Sequence, residues 1–143
     1  MQYLAKFAPD EDGGILVTFP DIPEAITGGE TEREALENAE EALELALLTY
    51  AKDGRSLPLA RRLPDAGGSY RVVFLPANVL AKLALIDAFR ESGMTKVAFA
   101  NKLGKAETEV RRMLDPYHQT KLATIEAGLR ALGKRLVVDV EAA

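Results

Sequence analysis

A chain of 143 residues, 48% apolar and 28% charged, is long enough for one domain or two small ones and has the composition of a globular rather than a disordered protein. Its 18 basic and 22 acidic side chains leave a net charge of −4, and the lack of cysteine excludes a disulfide framework and any cysteine-ligated zinc site. The opening MQYLAKFAPDEDGG has neither the basic start nor the long apolar run of a signal peptide, and no stretch approaches a bilayer span, so a cytoplasmic protein without membrane contact is expected.

The charge is unevenly divided. Residues 1–76 hold seven basic and fourteen acidic side chains, net −7, whereas residues 77–143 hold eleven and eight, net +3. Two domains that meet at Pro76 are therefore expected. The acidic one would be repelled by phosphate and attract a basic partner, and the basic one suits nucleic acid.

In the first domain Tyr3, Ala5 and Phe7 alternate with Leu4 and Lys6, and Ile15, Val17 and Phe19 with Leu16 and Thr18, the period of two of strands. The turn residues from Pro9 to Gly14 join them as an antiparallel hairpin. Pro20 and Pro23 interrupt pairing, and Ala25-Ile26-Thr27 is long enough only for a short edge strand. Thr31 and Glu34 form a capping box for a long helix whose inward side is Leu36, Ala39, Leu43, Ala46, Leu47 and Tyr50. Its outward side is acidic, with Glu32, Glu37, Glu40, Glu41 and Glu44, and it ends at Asp53-Gly54. Residues 54–69, with Arg55, Pro58, Arg61, Arg62, Pro64, Gly67 and Gly68, predict a loop, and Tyr70 to Leu75 a last strand of the small sheet.

The second domain opens with a helix from Ala77 to Ser92, with Val79, Leu83 and Ile86 central in a wide apolar arc and Leu80 and Phe89 at its edges. From Met94 to Leu114 the pattern is that of a helix-turn-helix. Thr95 caps a helix that buries Phe99, Ala100 and Leu103, Gly104 turns the corner, and a second short helix turns Val110, Met113 and Leu114 inward. Glu107, Thr108, Arg111 and Arg112 then face out, able to reach base edges or phosphates of double-stranded operator DNA, with Lys105 at the corner. Lys96 and Lys121, near helix starts, are placed to meet phosphates. Any two short amphipathic helices with glycine between them give a similar pattern. Charge favours DNA, since Arg90 to Arg135 carries ten basic side chains against five acidic ones.

Asp115-Pro116 ends the second helix. Thr120 to Leu132 predicts another, with Leu122, Ile125 and Leu129 inward, Gly133 past its end, and Gly128 either required by a close contact or simply tolerated. Arg135 to Val140 alternates as a strand, with Leu136, Val138 and Val140 on one face and no partner in its own helical module. Pairing with the same strand of a second copy would give a homodimer or larger assembly. Folding back beside residues 70–75 is the alternative.

The whole chain resembles the HicB-type antitoxins, in the longer form that carries a helix-turn-helix. Val17 to Thr31, VTFPDIPEAITGGET, is similar to the family's FPDLPGAIT-x-GDT signature, and the alanine-rich helix follows it. Glu24 stands where glycine is usual. The resemblance implies an α+β protein, with a partial ribonuclease H-like sheet and helix followed by a phage-repressor-like helix-turn-helix. It further implies a labile antitoxin that covers the active site of a small basic HicA-like ribonuclease toxin and binds its own operator. Asp10, Glu11, Asp12, Asp21, Glu37, Glu41 and Glu44 are the acidic candidates for toxin contact.

Two rival classes remain. A metal-dependent nuclease needs carboxylates that converge on ions about 3.5–4 Å apart, yet the two opening strands carry none. A repressor with a ligand-sensing N-terminal domain finds no phosphate loop or ligand motif, and the lone His118 falls in a loop after Pro116-Tyr117. No catalytic residue, metal or cofactor is expected.

Overall fold

A computed structural model describes residues 1–59 and 69–143. The fold is α+β, and the chain divides into two compact units, Met1–Ala77 and Asn78–Ala143. The first holds strands β1 (Tyr3–Pro9), β2 (Ile15–Thr18), β3 (Ile26–Gly29) and β4 (Tyr70–Val73) with helix α1 (Glu32–Lys52). The strands form one antiparallel sheet in the order β3-β2-β1-β4. Phe7 pairs with Val17 and Tyr3 with Val73, so Tyr3, Ala5, Phe7, Val17 and Val73 share a face. The expected hairpin, edge strand and closing strand are all present, although β3 takes in both glycines and β4 stops at Val73. Strict alternation fails at Leu4, which is buried on the face opposite Tyr3 and Ala5. Residues 54–59 form neither helix nor strand. Residues 60–68 of the expected loop, including Arg61, Arg62, Pro64, Gly67 and Gly68, lie outside the described residues.

α1 starts where its cap predicts, the Glu34 amide donating to Thr31 Oγ1 at 3.2 Å. The Glu34 carboxylate accepts from the Glu30 amide instead of closing on Thr31. Its buried side is Ala35, Ala39, Leu43, Leu47 and Tyr50, not the expected Leu36, which is exposed. The reason lies in the sheet. A Cβ on Gly29 would sit 2.5 Å from the Ala35 amide nitrogen and 2.9 Å from the Glu34 carbonyl carbon, and one on Gly28 would collide with the Ile15 carbonyl oxygen. Strand and helix backbones approach so closely that only alanine fits beneath the first turns, and Leu36 is rotated out. Asn38 Nδ2 reinforces the contact by donating to the Gly28 carbonyl at 2.7 Å. Farther along, Leu43 and Leu47 are fully buried, each stabilising the unit by about 1.5–3 kcal/mol.

The opposite end of α1 explains Glu24. Tyr50 Oη donates to Glu24 Oε2 at 2.6 Å, and Arg55 binds Glu24 Oε1 at 3.3 Å while its guanidinium lies 3.8 Å from the Tyr50 ring centroid. A carboxylate here clasps the segment after β2 to the end of α1. The bond from Tyr50, a backbone hydrogen bond and Arg55 hold the Glu24 carboxyl below its ordinary range, and the same Tyr50–Glu24 bond pushes the Tyr50 phenol up.

The second unit packs α2 (Ala77–Ser92), α3 (Lys96–Leu103), α4 (Glu107–Leu114) and α5 (Leu122–Ala131) around one apolar core. α3 and α4 form as expected. Thr95 Oγ1 accepts from the Ala98 amide at 3.1 Å, and Gly104 ends α3 at φ 65°. Three expectations are corrected. In α2 the buried stripe is Ala81, Leu85 and Ala88, joined by Lys82 and Leu83, while Val79 and Ile86 are half-buried; small residues mark where neighbours approach most closely. In α5 Leu122 is exposed, because the helix starts only there and its first turn stays outside the core formed by Ile125 and Leu129. From Arg135 to Val140 there is no strand, since an isolated strand has no backbone partners to bond. Gly128 lies in a close contact, a Cβ there coming within 2.9 Å of Leu85 Cδ1 and 3.1 Å of Met113 Cε, but both are ends of flexible side chains that can give way, unlike the backbone atoms against Gly28 and Gly29.

Two stability predictions follow from the first unit. Gly29→Ala forces the α1 backbone away from β3 and should destabilise the unit at the upper end of the roughly 1–3 kcal/mol typical of overpacking, read as a lowered urea midpoint. An unchanged midpoint would mean that the strand and helix can part freely. Tyr50→Phe should lower the thermal midpoint at neutral pH. Because the folded pKa of Glu24 lies below its usual 4.5, its contribution is complete above that value and is lost as pH falls through the lower folded one, so the gap to wild type should close there. Tyr50 mirrors this above 10.0, its contribution being lost as pH rises through its raised folded value. A gap that persisted in strong acid would assign the effect to something other than this bond.

Candidate functional site

In the helical unit the residues expected to meet DNA gather mainly on α4. Val110, Met113 and Leu114 are buried on one side, and Glu107, Thr108, Arg111 and Arg112 are exposed on the other. Eight residues are too few for an isolated helix to persist in water, so packing holds this stripe in place. Arg111 binds Glu107 at 2.8 Å, and Lys105, half-buried at the corner, binds Glu109 at 3.7 Å. Exposed pairs one helical turn apart contribute only about 0.3–0.5 kcal/mol, so a base edge or a phosphate can replace the carboxylate at small cost. Arg112, Lys96 at the start of α3 and Lys121 at the start of α5 are exposed, with no ion pair among the described residues.

One residue behind this surface escaped the sequence reading. Lys82 of α2 is 4% exposed, and its ammonium donates to the carbonyls of Arg112 at 3.1 Å and Met113 at 2.8 Å and to Thr120 Oγ1. Burial lowers its pKa to about 8, against the opposing pull of Asp115. The one signal in the sequence is a lysine in the middle of an otherwise apolar arc.

The acidic candidates of the first unit are not brought together at one place. Asp10, Glu11 and Asp12 are exposed in the β1–β2 turn, whose Gly14 lies against Gly29 and Glu30 just before α1. Asp21 is half-buried in the segment beyond β2, the segment that Glu24 ties to the far end of α1. Glu37, Glu41 and Glu44 do share one side of α1, at spacings of four and three, with Glu37 paired to Arg33 at 3.1 Å and Glu44 half-buried. Leu36 and Leu45 are exposed on the same helix, which the sequence reading did not anticipate. Among the described residues no group of three histidines, aspartates or glutamates is placed to hold a metal ion, and no helix is long and apolar enough to cross a membrane.

The three tail residues also separate. Leu136 is half-buried against the helical core, whereas Val138 and Val140 are 62% and 90% exposed.

Residues 2–84 match the model of the HicB-like antitoxins of bacterial toxin–antitoxin systems. The chain is 38% identical over 141 residues to antitoxin HicB 1 of Photorhabdus laumondii, covering 99% of this chain and 88% of that one. It is 36% identical over 136 residues to antitoxin HicB of Escherichia coli K12, covering 95% and 96%, and 38% identical over 136 residues to antitoxin HicB of Pseudomonas fluorescens, covering 94% and 90%. The likeness to these relatives therefore runs through the helical unit as well.

Proposed function

The chain belongs to the HicB-like antitoxins of bacterial toxin–antitoxin systems, and from that premise we propose that it masks a small basic, HicA-like ribonuclease toxin and represses its own operon. In this reading α3 and α4 are a helix-turn-helix, and α4 enters the major groove of operator DNA in the cytoplasm. The observation that carries it is the α4 stripe of Glu107, Thr108, Arg111 and Arg112, opposite a fully packed face, in a unit that also exposes Lys96 at the start of α3 and Lys121 at the start of α5. Arg111 and Thr108 meet base edges, and Lys96 and Lys121 meet phosphates. The acidic side of α1, with Glu37, Glu41 and Glu44, and the Asp10-Glu11-Asp12 turn attract the basic toxin. Asp21 belongs to the same acidic unit, where it adds to the field at the far end of α1.

Arg111→Ala should cost about 1–3 kcal/mol at one base position if it binds that base bidentately, and Lys96→Ala should weaken all sequences alike with a shallower salt dependence. Both variants should still rescue cells from the toxin. Conversely, lysine at positions 37, 41 and 44 together should abolish rescue and spare repression. Operator titration at two salt concentrations, with a toxin co-expression assay, reads both arms. Full operator binding by both alanine variants would remove α4 as the reader.

Operators read by such a motif are commonly palindromic, with half-sites about 34–36 Å apart, so a single copy reads half a site. The exposed Val138 and Val140 supply the means of pairing: two tails joined as antiparallel strands satisfy each other's backbone and cover these side chains. Val138→Asp should then lower the mass measured by light scattering and abolish operator binding while toxin rescue persists. An unchanged mass with lost rescue would place the tail against the N-terminal sheet instead.

A further inference from the structure

The last carbonyls of a helix have no amide of their own helix to accept from, and they form the negative end of its dipole. At the end of α4 two of them, from Arg112 and Met113, accept from the ammonium of Lys82. The third proton goes to Thr120 Oγ1, just before α5, so all three donors of the ammonium are used inside the fold. Besides Lys82, only a long backbone bond caps this end among the described residues, the Asp115 amide donating to the Arg112 carbonyl at 3.3 Å. The cap residue Asp115 is extended at ψ 115°, without the left-handed glycine found at the end of α3, and the Ala106 cap at the start of α4 makes no side-chain hydrogen bond. Stability alone does not call for a lysine here, because an apolar side chain avoids the cost of removing an ammonium from water. What the ammonium adds is direction: it fixes two adjacent peptide groups of α4 relative to α2. One of these carbonyls belongs to Arg112, and Arg111, its neighbour, projects from the same turn to the outside.

We propose that Lys82 is a positioning residue for DNA reading, its buried ammonium fixing the last turn of α4 so that Arg111 and Arg112 meet the groove at the angle that selects a sequence. The inference rests on the proposed role of α4. Because Lys82 is buried it touches no phosphate, and so it acts on the difference between the right sequence and a wrong one, not on attraction to DNA in general.

The test uses the full-length chain and two probes, a duplex that the wild-type protein selects from a random-sequence library and a scrambled duplex of the same composition. Binding is followed by fluorescence anisotropy at one ionic strength, with circular dichroism to establish folding. Lys82→Met keeps the unbranched four-atom stem of the side chain and removes the ammonium. It should lose roughly fivefold or more in affinity for the selected duplex, the lower end of the cost of one base contact, and nothing for the scrambled one. Thr120→Val, which removes one of the three acceptors and leaves the ammonium in place, should lose less in the same direction, and it carries the test if Lys82→Met does not fold. Arg111→Ala, measured alongside, separates the two claims. If Arg111→Ala weakens selective binding while both Lys82→Met and Thr120→Val bind as wild type, the positioning role is overturned and α4 remains the reader. If Lys82→Met loses equally on both duplexes, its role is structural and the proposal fails. If the wild-type chain selects no duplex, or Arg111→Ala changes nothing, the role of α4 fails and this inference falls with it.

Discussion

An ammonium group taken out of water must find an acceptor for each proton, and in the helical unit that requirement ties three elements together. Lys82 is the one buried charged side chain among the described residues, and its acceptors come from the end of α4 and the approach to α5. Apolar packing alone is non-directional and would let a two-turn helix slide or rotate on its neighbours. A set of hydrogen bonds from one rigidly held point removes that freedom. The stripe exposed on α4 thus has a fixed orientation within its unit, although the helix is far too short to persist by itself.

The first unit solves its fixing problem by closeness instead of charge. Gly28 and Gly29 bring the edge strand against α1 at backbone distance, and the Asn38 amide closes the gap with a hydrogen bond. At the other end of α1, Glu24, Tyr50 and Arg55 form the clasp. Both ends of the helix are therefore held to the sheet through its flanking segments, which leaves the middle of its outward face, with Glu37, Glu41 and Leu45, exposed. That face combines negative charge with an exposed leucine, a chemistry suited to a basic protein surface with apolar patches.

Much of this fold was legible because its signals are local. The caps at Thr31 and Thr95, the corner at Gly104 and the alternation in β1 and β2 depend on residues a few positions apart, and each element formed where they predict. Tertiary contacts decided the rest. Ala35 replaced Leu36 because of a strand approaching from elsewhere in the chain, and Leu85 displaced Val79 and Ile86 because an almost continuously apolar helix does not reveal which stripe its neighbours will cover. Lys82 was illegible for the same reason, since its acceptors lie 30, 31 and 38 residues away, at the end of one helix and before the next, where no local pattern announces them. The tail is the reverse case. Its alternation is genuine, but alternation specifies only a face, and a strand needs a second backbone.

The register of the sheet also fixes an order of events during synthesis. Tyr3 pairs with Val73, so β1 has one of its two neighbours early and the other only after the whole of α1 and the segment beyond it have been made. At roughly 5–20 residues per second the wait lasts on the order of seconds, and for that time a central strand stands at an edge with its backbone groups unpaired. The helical unit is made later, yet its contacts join helices that are near one another in sequence, and such topologies fold in microseconds to milliseconds. The part of the chain translated first is thus the part whose completion must wait longest, and a ribosome halted before β4 would release an unfinished sheet with no helical unit attached.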